Sequence, residues 1–524
     1  MTPVVTAAEM RALDRTTIDD VGLPAVTLME TAGRAVAEAA LRMLGSARGH
    51  VMVVCGPGNN GGDGFVAARV LRDRGVDAVV YLASPREAVR GDARTHLEIL
   101  ERAGGDVRLI AAPDQLASLG PRARDAALVI DALFGVGLTR PIEGHLAEVV
   151  AMMGNARRVL AVDIPSGLDT DSGRVLGCAV TAERTITMAA LKIALVSSPG
   201  FARAGEVEVA DIGIPPALIA AANVGASLVT AGEVARWLPH PQSLEHKGRR
   251  GHVLVVGGSP GMRGAGRLAA IAALRAGAGL CTLAADGKIG SKPGGEPGTE
   301  LGGDPGSEID APDSVMTRSL VVGGKLSALL AGKAAIVIGP GIGNTAASTE
   351  RVHEVLATGI PAVLDADALN VLASEPAAIA RAAGPVVITP HPGEASRLLG
   401  STVANIEADR IAAARALAAR TRAVVVLKGA RTIVCDGTSG GHHCSINPTG
   451  GPALATGGSG DVLAGTIGAL LAQGISAVNA ARAGVFVHGA AGDQLTEVHG
   501  ARGVMSSDLP VAIASAIWAL SRQR

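Results

Sequence analysis

The sequence predicts an α/β protein of two domains, each built on a parallel β-sheet that is covered by helices. The chain has 524 residues, which is more than one ordinary hydrophobic core accommodates. Short apolar runs rich in valine and isoleucine alternate with helical segments in both halves. This alternation pauses after residue 216 and resumes at residue 252, so we place the domain boundary near residues 217–230. We expect the domains to span residues 1–220 and 230–524.

Composition excludes several classes of partner. Lys plus Arg number 47 against 48 Asp plus Glu, and this net charge of -1 predicts no surface for nucleic acid or anionic membranes. Aromatic residues make up only 1% of the chain, too few for a base-stacking platform. We therefore predict small-molecule substrates, and the low charge permits a homo-oligomer. Because we find neither a signal peptide nor an apolar run of about 18 residues, we expect a cytoplasmic protein.

The five cysteines are widely spaced and none belongs to a C-x-x-C pair. This spacing predicts neither a disulfide framework nor a structural zinc site. The tripeptide His442-His443-Cys444 is interpreted as a loop, because adjacent strand residues point apart and no second ligand pair follows.

Local signals define the first elements of the amino-terminal domain. Thr6 and Glu9 have the spacing of a capping box, which predicts a helix from there toward Asp20. A second helix is predicted over residues 28–44. Strands are predicted over residues 50–55, 77–82, 128–131 and 159–163. The last two end on Asp131 and Asp163, at the strand ends where parallel sheets carry functional residues.

The carboxyl-terminal domain repeats the pattern. Strands are predicted over residues 252–258, 334–339, 362–365, 386–389 and 424–428. Between them, residues 286–313 are rich in glycine, proline and acidic residues and lack periodicity. We interpret that stretch as a mobile surface insertion.

A glycine-rich segment follows the first strand of the amino-terminal sheet. Residues 56–64 read Gly-Pro-Gly-Asn-Asn-Gly-Gly-Asp-Gly and precede a helix that we expect to begin near Phe65. Glycines allow a ligand to approach the backbone closely, and a helix amino terminus favours an anion. On glycine content alone, a tight turn between strand and helix is an equally good interpretation.

Two further segments accompany this loop. Residues 129–141 read Val-Ile-Asp-Ala-Leu-Phe-Gly-Val-Gly-Leu-Thr-Arg-Pro, and residues 161–169 read Ala-Val-Asp-Ile-Pro-Ser-Gly-Leu-Asp. The three segments together closely resemble the NAD(P)H-hydrate epimerase family, and the likeness covers most of residues 1–220. The resemblance implies a Rossmann-like three-layer α/β/α domain that interconverts the R and S forms of hydrated NADH and NADPH.

The resemblance also implies the site residues of this domain. Asp163 would bind substrate and act as the acid/base group, since epimerisation at C6 must move protons. Asn60, Asp131 and Ser166 resemble the potassium ligands of the family, and all three offer oxygen. The substrate would contact Asn59, Asn60, Gly61, Gly62, Asp63 and Asp163, and its phosphates would lie against Gly135, Val136, Gly137, Leu138, Thr139, Arg140 and Pro141.

The strongest single signal lies in the carboxyl-terminal half, where residues 456–465 read Thr-Gly-Gly-Ser-Gly-Asp-Val-Leu-Ala-Gly. Glycines leave N–H groups free to converge on an oxyanion, and the helix expected over residues 462–472 adds its dipole. Asp461 at the helix start could deprotonate an attacking hydroxyl group. The alternative is a simple helix cap worth about 1 kcal/mol.

Other motifs favour the first interpretation. They lie at residues 257–259, 273–280, 339–343, 365–370, 389–394 and 428–429. Together they resemble the ribokinase-like superfamily and, more closely, its NAD(P)H-hydrate dehydratase branch, over nearly all of residues 240–524. Residues 286–313 depart from that pattern, because relatives are shorter and less rich in glycine there. The resemblance implies a ribokinase-like α/β domain that dehydrates the S form.

By that resemblance, Asp461 is the catalytic base. The hydrated dinucleotide would contact Ala265, Gly343, His391 and Asp461. The adenine nucleotide, expected to be ADP with Mg²⁺, would contact Lys428, Gly429, Ala430, Arg431, Thr432 and Gly460. The motifs themselves do not distinguish ADP from ATP. Asp367 and Asn370 are either polar support or helix caps, and these interpretations stay equal here.

We therefore predict a bifunctional cofactor-repair enzyme, in which one domain makes the substrate of the other. The first alternative is a ribokinase-like vitamin or sugar kinase with an appended nucleotide-binding module, which would leave the first domain without a reaction. The second treats the first domain as a non-catalytic binding module. Asn60, Asp131 and Asp163 are all present, so this second alternative lacks the loss of residues that it requires.

Overall fold

The structure is a computed structural model that describes residues 1–46, 49–110, 115–116, 119–240, 246–289, 308–309, 311–320, 325–440 and 443–522. The chain forms two compact units, Pro3–Ala226 and Ser227–Arg524, with Met1–Thr2 joined to the second. We call them the amino-terminal and the carboxyl-terminal unit. In the described part of the chain, no helix is long and apolar enough to cross a membrane.

Strands and helices alternate through the first 226 residues. The strands are β1 (Thr2–Val5), β2 (Val51–Cys55), β3 (Ala78–Leu82), β4 (Asp106–Leu109), β5 (Leu128–Ala132), β6 (Val159–Val162), β7 (Arg184–Met188), β8 (Leu191–Lys192) and β9 (Glu206–Ala210). The helices are α1 (Ala7–Asp19), α2 (Ala25–Leu44), α3 (Asn59–Asp73), α4 (Gly91–Arg102), α5 (Leu119–Asp125), α6 (Gly144–Met153), α7 (Ile193–Val196), α8 (Phe201–Ala204) and α9 (Pro216–Ala221). The predicted capping box at the start of α1 is present.

Seven strands of this unit form one sheet in the order β4-β3-β2-β5-β6-β7-β9, and every neighbouring pair is parallel. Buried apolar side chains form one cluster on each face of the sheet, as a parallel sheet requires. From β2 the chain runs through β3 to β4 on one side and returns to β5 on the other. The order therefore reverses between β2 and β5, and ligands of such sheets bind at that point. The predicted parallel α/β architecture is confirmed.

The glycine-rich segment after β2 departs from the prediction. Helix α3 begins at Asn59 and not near Phe65, with Gly58 as its extended amino-terminal cap. Two of its glycines make close contacts with their neighbours: a Cβ at Gly61 would lie 1.9 Å from the Gly56 oxygen, and one at Gly62 would lie 2.4 Å from Met29 Sδ. These glycines therefore allow the first turn of α3 to pack closely against its neighbours. Glycine content alone does not distinguish such a packed helix start from a loop.

The carboxyl-terminal unit is also an alternation of strands and helices. The strands are β10 (Ala226–Leu228), β11 (His252–Val256), β12 (Leu280–Asp286), β13 (Lys288–Ile289), β14 (Glu308–Ile309), β15 (Met316–Leu320), β16 (Ala335–Ile338), β17 (Ala362–Leu364), β18 (Val386–Ile388), β19 (Val424–Leu427), β20 (Ile433–Asp436) and β21 (Cys444–Ile446). The helices are α10 (Ala231–Trp237), α11 (Arg263–Arg275), α12 (Ser327–Leu330), α13 (Ala346–Leu356), α14 (Asp367–Val371), α15 (Pro392–Leu399), α16 (Val403–Ala408), α17 (Arg410–Thr421), α18 (Ser459–Ala472), α19 (Ala477–His499) and α20 (Leu509–Ser521).

The main sheet of this unit has the order β15-β12-β11-β16-β17-β18-β19-β20-β21. Pairing is parallel from β15 to β19, as predicted, and antiparallel from β19 to β21. Most of the stretch interpreted as a surface insertion, residues 290–307 and 310, lies outside the described residues. The short strands β13 and β14 at its two ends pair in parallel.

The antiparallel edge corrects two predictions. Cys435 and Cys444 lie opposite each other on β20 and β21 and form a disulfide, although no disulfide was predicted. Cys444 also begins a strand, so the loop interpretation of residues 442–444 is wrong at that residue, and His442 lies outside the described residues. The reason is pairing: the antiparallel register of β20 and β21 places Cys435 opposite Cys444, and cysteine spacing alone does not reveal that register.

Replacing Gly33 by valine is expected to lower the free energy of unfolding by about 1–3 kcal/mol, the usual cost of overpacking a core. A Cβ at Gly33 would lie 2.4 Å from Val66 Cβ, so α2 and α3 would have to move apart. Denaturant unfolding of the full chain measures the change. The control is Gly120→Ala in α5, where the nearest atom lies 4.0 Å away. A Gly33→Val protein as stable as this control would contradict the packing argument.

Candidate active sites

A cavity of about 540 Å³ lies in the amino-terminal unit, beside the ends of β2, β5 and β6. Of the residues predicted to bind substrate, those lining it are Asn59, Asn60, Asp63, Gly135, Val136, Gly137, Leu138 and Asp163. A second cavity of about 440 Å³ shares four lining residues with the first and adds Arg140 and Pro141. Gly61 and Gly62 are buried in helix packing, and Thr139 is exposed without lining either cavity. Most of the predicted residues are thus gathered around two adjoining cavities.

Asp163 follows β6 in the left-handed backbone conformation, with a φ of 65°, which is unusual for a residue other than glycine. Its Oδ1 accepts hydrogen bonds from Lys192 Nζ at 2.6 Å, from Thr187 Oγ1 at 3.2 Å and from the Met188 amide at 3.3 Å. Oδ2 accepts none from the described residues and faces Gly135, where a Cβ would lie 3.2 Å from it. One oxygen is therefore fixed, and the other is available to a ligand.

Lys192 is a residue of this site that sequence reasoning missed. Its side chain is fully buried, and besides Asp163 its Nζ donates to Thr187 Oγ1 at 2.9 Å and to the Met188 carbonyl at 2.7 Å. A buried ammonium group is stable only when it is paired and hydrogen bonded, as this one is. The available signal was one charged residue within the apolar run of residues 188–196.

Besides Asp163, the carboxyl groups of Asp14, Asp63 and Asp92 line the same cavity. Burial raises the pKa of Asp63 well above its usual value, and the charge of Asp163 adds to this rise while Lys192 opposes it. Burial also raises the pKa of Asp14 in α1, against the charge of Lys192 and with that of Asp163. Asp14 was not predicted. Four carboxyl groups therefore share a cavity with one buried lysine, and burial favours the protonated form of Asp14 and Asp63.

The predicted potassium ligands lie beneath the loop after β5. Asp131 is fully buried, and its carboxylate accepts hydrogen bonds from Ser166 Oγ at 2.6 Å and from the Ser166 amide at 2.8 Å. Burial raises the pKa of Asp131 to about 6, against these hydrogen bonds and one from the Leu133 amide. Asn60 Nδ2 is buried and has no hydrogen-bond partner among the described residues. Asn60 Oδ1 would lie 3.1 Å from a Cβ at Gly135, in the loop that Ser166 also contacts.

In the carboxyl-terminal unit, Asp461 lies in the first turn of α18. The preceding Gly458 has a φ of 90°, which turns the chain into the helix start. Burial raises the pKa of Asp461 to about 7, the charge of Asp365 adds to the rise, and Lys428 opposes it. A carboxyl group with this pKa can accept and release protons near neutral pH.

Lys428 is surrounded by carboxylates at the end of β19. Its Nζ lies 2.7 Å from Asp365 Oδ1 and 3.8 Å from Glu394 Oε2. Burial alone would lower the pKa of Lys428, but Asp365 and Glu394 raise it above its usual value. A Cβ at Gly460 would lie 3.3 Å from the same Nζ, so Lys428 also meets the glycine turn. Asp365 and Glu394 lie in the sequence motifs at residues 365–370 and 389–394, and no role was predicted for either. In the structure, both carboxylates interact with the Lys428 ammonium group.

Arg410 supports the predicted nucleotide-binding loop, residues 428–432, through hydrogen bonds to backbone carbonyls. Its role was not predicted from the sequence. It is 1% exposed, and it donates to the carbonyl oxygens of Leu427 at 3.2 Å and Lys428 at 3.0 Å. Gly429 has a φ of 139°, and a Cβ there would lie 2.8 Å from the Arg410 guanidinium. In the same loop, Thr432 Oγ1 donates to the Gly429 carbonyl at 2.9 Å, whereas Ala430 is exposed.

His488 of α19 contacts the glycine turn of residues 458–461. Its Nε2 lies 3.0 Å from the Ser459 carbonyl and 3.2 Å from Ser459 Oγ. Burial lowers the pKa of His488 to about 4, so the imidazole is neutral near pH 7. A neutral ring can donate Nε2–H to the carbonyl and hold the turn in place. Arg431 has a similar local role, donating to the Pro448 carbonyl at 2.8 Å.

The residues predicted to hold the hydrated dinucleotide lie around the ends of β16 to β18. His391 is exposed, caps α15 and accepts a hydrogen bond from the Gly393 amide at 2.9 Å. Asp367 Oδ2 accepts from the Gly343 amide at 2.9 Å and makes no side-chain cap. Asn370 Oδ1 accepts from Arg397 of α15 at 2.8 Å. The geometry therefore favours polar support for Asp367 and Asn370. Ala265 lies near Gly341, because its Cβ would be 3.3 Å from a Cβ added at Gly341.

Comparison with known proteins assigns the chain to a family. A family profile described as YjeF-related protein N-terminus matches residues 25–194, and one described as NAD(P)H-hydrate dehydratase matches residues 253–514. The bifunctional NAD(P)H-hydrate repair enzyme of Moorella thermoacetica is 42% identical over 97% of this chain and 95% of its own length. The chain belongs to the family of bifunctional NAD(P)H-hydrate repair enzymes. The predicted resemblances of both halves are confirmed.

Other members of this repair-enzyme family align over a similar length. The Escherichia coli enzyme of the same name is 34% identical over 96% of this chain and 92% of its own length. Among solved structures, an ADP/ATP-dependent NAD(P)H-hydrate dehydratase from Bacillus subtilis, co-crystallised with ATP and Mg²⁺, is 30% identical. The alignment with that structure covers 56% of this chain and 98% of the Bacillus subtilis chain, with a TM-score of 0.47.

Replacing Lys192 by methionine is expected to lower the free energy of unfolding by about 3–5 kcal/mol, because it leaves Asp163 buried without its cation. Denaturant unfolding of the full chain measures the loss. The control is the same substitution combined with Asp163→Asn, which removes the unpaired charge and should recover part of the stability. If the single and the double variant are equally destabilised, the ion pair is not the source of the loss.

Proposed function

We propose that this chain repairs hydrated NADH and NADPH in two reactions. The amino-terminal unit epimerises the R and S forms at C6, and the carboxyl-terminal unit dehydrates the S form at the expense of ADP, giving AMP and phosphate. The observation that carries this proposal is similar in both units: a carboxyl group interacts with a lysine, buried Asp163 with Lys192 and half-buried Asp461 with Lys428. The compartment, expected to be the cytoplasm, and the oligomeric state stay predictions.

The epimerase site would use Asp163 at the reacting carbon. Oδ1 is held by three donors, so Oδ2 is the oxygen that can exchange a proton with the substrate. The nicotinamide ring would enter the larger cavity, against Asn59, Asn60 and Asp63. Its phosphates would lie along residues 135–141, of which residues 135–138 line the larger cavity and Leu138, Arg140 and Pro141 line the second.

Asn60, Asp131 and Ser166 fit a potassium ion. Asp131 is buried with no basic side chain within ion-pair distance in the described part of the chain, and Asn60 can offer its Oδ1, which faces the loop at Gly135. The described residues contain no group of three or more acidic, histidine or cysteine side chains placed to hold a metal. One carboxylate with neutral oxygens suits a weakly bound monovalent cation. When bound, K⁺ would supply positive charge beneath the loop after β5.

In the dehydratase site, Asp461 would remove the proton of the C6 hydroxyl group. The hydroxyl oxygen would then take a phosphoryl group from the nucleotide, and phosphate would leave as the C6–O bond breaks. Loss of a proton from C5 restores the ring double bond, so one water is removed from the substrate in sum. The amides at the start of α18 would stabilise the charge on the transferring group.

The nucleotide would lie on the loop that Arg410 supports. We place it against Lys428, Gly429, Ala430, Arg431, Thr432 and Gly460, with the substrate on Ala265, Gly343, His391 and Asp461. Glu394 and Asp365 would hold Mg²⁺ together with phosphate oxygens, since Mg²⁺ needs only one or two carboxylates when phosphates supply other ligands. Bound Mg²⁺ would offset phosphate charge. The kinase alternative is not favoured, because relatives match both units.

The proposal is tested by mixing the protein with R and S hydrates of NADH, Mg²⁺ and K⁺, and with ADP or ATP in parallel. Return of reduced-nicotinamide absorbance measures the repaired fraction. We expect recovery of both forms with ADP. Recovery of the S form alone would contradict the epimerase assignment, and a stable phosphorylated product would indicate a kinase. Replacing K⁺ by Li⁺ should slow only the R form.

Two variants assign the reactions to their units in that assay. Asp163→Ala should abolish turnover of the R form and leave the S form unaffected, whereas Asp461→Ala should slow dehydration at least about 100-fold, the lower end for loss of a general base. Near-normal dehydration by Asp461→Ala would show that another group takes the proton.

The rate of dehydration is expected to fall as the pH is lowered through about 7, because the base must be ionised and the pKa of Asp461 is raised to about 7. The measurement is kcat/KM for the S form between pH 5 and about 9. The matched variant is Asp367→Asn, which removes a negative charge that raises the pKa of Asp461. In this variant, the fall in kcat/KM on the acid side should occur at a lower pH than in the wild type. An unchanged limb would mean that Asp461 is not the titrating base.

A further inference from the structure

Helix α1 forms one wall of the larger cavity in the amino-terminal unit. Met10, Arg11, Asp14 and Ile18 line it, and the spacing of four residues places three of them on one helical face. The helix is anchored by its capping box and by buried Met10 and Leu13. The match to the YjeF-related profile begins at residue 25, so α1 lies outside it. The wall therefore contributes charged side chains from outside the residues that this profile matches.

The reaction proposed for this cavity requires two proton transfers. The C6–O bond breaks, and the hydroxyl group gains a proton and leaves as water, while the lone pair of the ring nitrogen stabilises the carbon cation. A water molecule then adds to the opposite face and gives up one proton. Water and protons balance, since one of each leaves and one of each returns. One group that donates a proton and one that accepts it are sufficient.

Asp163 is suited to the accepting role, because three donors, including the Lys192 ammonium, hold its Oδ1 and leave Oδ2 to a ligand. Asp14 is in the opposite situation. No hydrogen bond joins its carboxyl group to another described residue, and burial raises its pKa. The charged groups that share its cavity are Arg11, Asp63, Asp92, Asp163 and Lys192. When two carboxyl groups of one site differ in this way, one can serve as acid and the other as base.

We propose that Asp14 is a second catalytic residue of the epimerase site and exchanges protons at C6 together with Asp163. This inference rests on the proposed epimerase function. Asp63 is less suited, because it lies in the packed first turns of α3, next to Gly61 and Gly62 with their close contacts. Asp14 is only half-buried and lines the larger of the two adjoining cavities, so a ligand can reach its carboxyl group.

The test compares Asp14→Asn with Asp14→Glu and with Asp19→Asn, a control on the exposed end of the same helix. Consumption of the R form is measured with ADP and an excess of the Asp163→Ala protein, which supplies dehydration only. We expect Asp14→Asn to lower kcat at least about 100-fold, with KM changed less than about threefold. Asp14→Glu should keep part of the activity, and Asp19→Asn all of it. Direct turnover of the S form should be equal in every variant.

The pH profile separates catalysis from a structural role. The donor must be protonated, so kcat for the R form should fall on the alkaline side in the wild type and in Asp14→Glu, and Asp14→Asn should lack this limb. An Asp14→Asn kcat within about threefold of wild type, or an unchanged alkaline limb, would overturn the inference. If Asp14→Asn does not fold, the position of the alkaline limb in Asp14→Glu decides, since a glutamate must shift it. A wild type that never consumes the R form would instead refute the epimerase function.

Discussion

Burial of the parallel sheets on both faces is the constraint on which the two candidate sites depend. Strands such as β2 and β3 are buried along their whole length, so a charged side chain within them would have no water and no partner. Polar chemistry is therefore concentrated where the strands end. Asp163 and Asp365 both directly follow a buried strand, and each accepts a hydrogen bond from a lysine there. The architecture thus decides where reactive groups can lie.

The two units stabilise their buried carboxylates in a similar way. Each places one lysine among several acidic groups, Lys192 in the first unit and Lys428 in the second. One ammonium group cannot neutralise all of its neighbours, so burial leaves at least one carboxyl group with a raised pKa, as at Asp63 and Asp461. A carboxyl group that is protonated near neutral pH beside one that is ionised is what acid–base chemistry requires.

Much of the fold could be predicted from sequence, because its signals are local. Apolar runs gave nine parallel strands within one or two residues, and the Thr6–Glu9 capping box predicted the start of α1. The parallel strands β4, β7, β9, β12 and β15 were not predicted. The errors arose where pairing or packing decides. Helix α3 begins six residues early because Gly61 and Gly62 allow close contacts, and Cys435 meets Cys444 because β20 and β21 are antiparallel. Neither contact is visible in residue spacing.

The sequence by itself determined the family, the sheet class and the carboxylates that end strands, since these depend on residue type and order along the chain. The tertiary structure decided which charged groups share a cavity. Lys192 follows Asp163 by 29 residues, and Asp14 precedes it by more than a hundred, yet both act on its electrostatic environment. Arg410 and His488 likewise reach their loops from separate helices. Charge interactions depend on distance in space, and only the folded chain sets those distances.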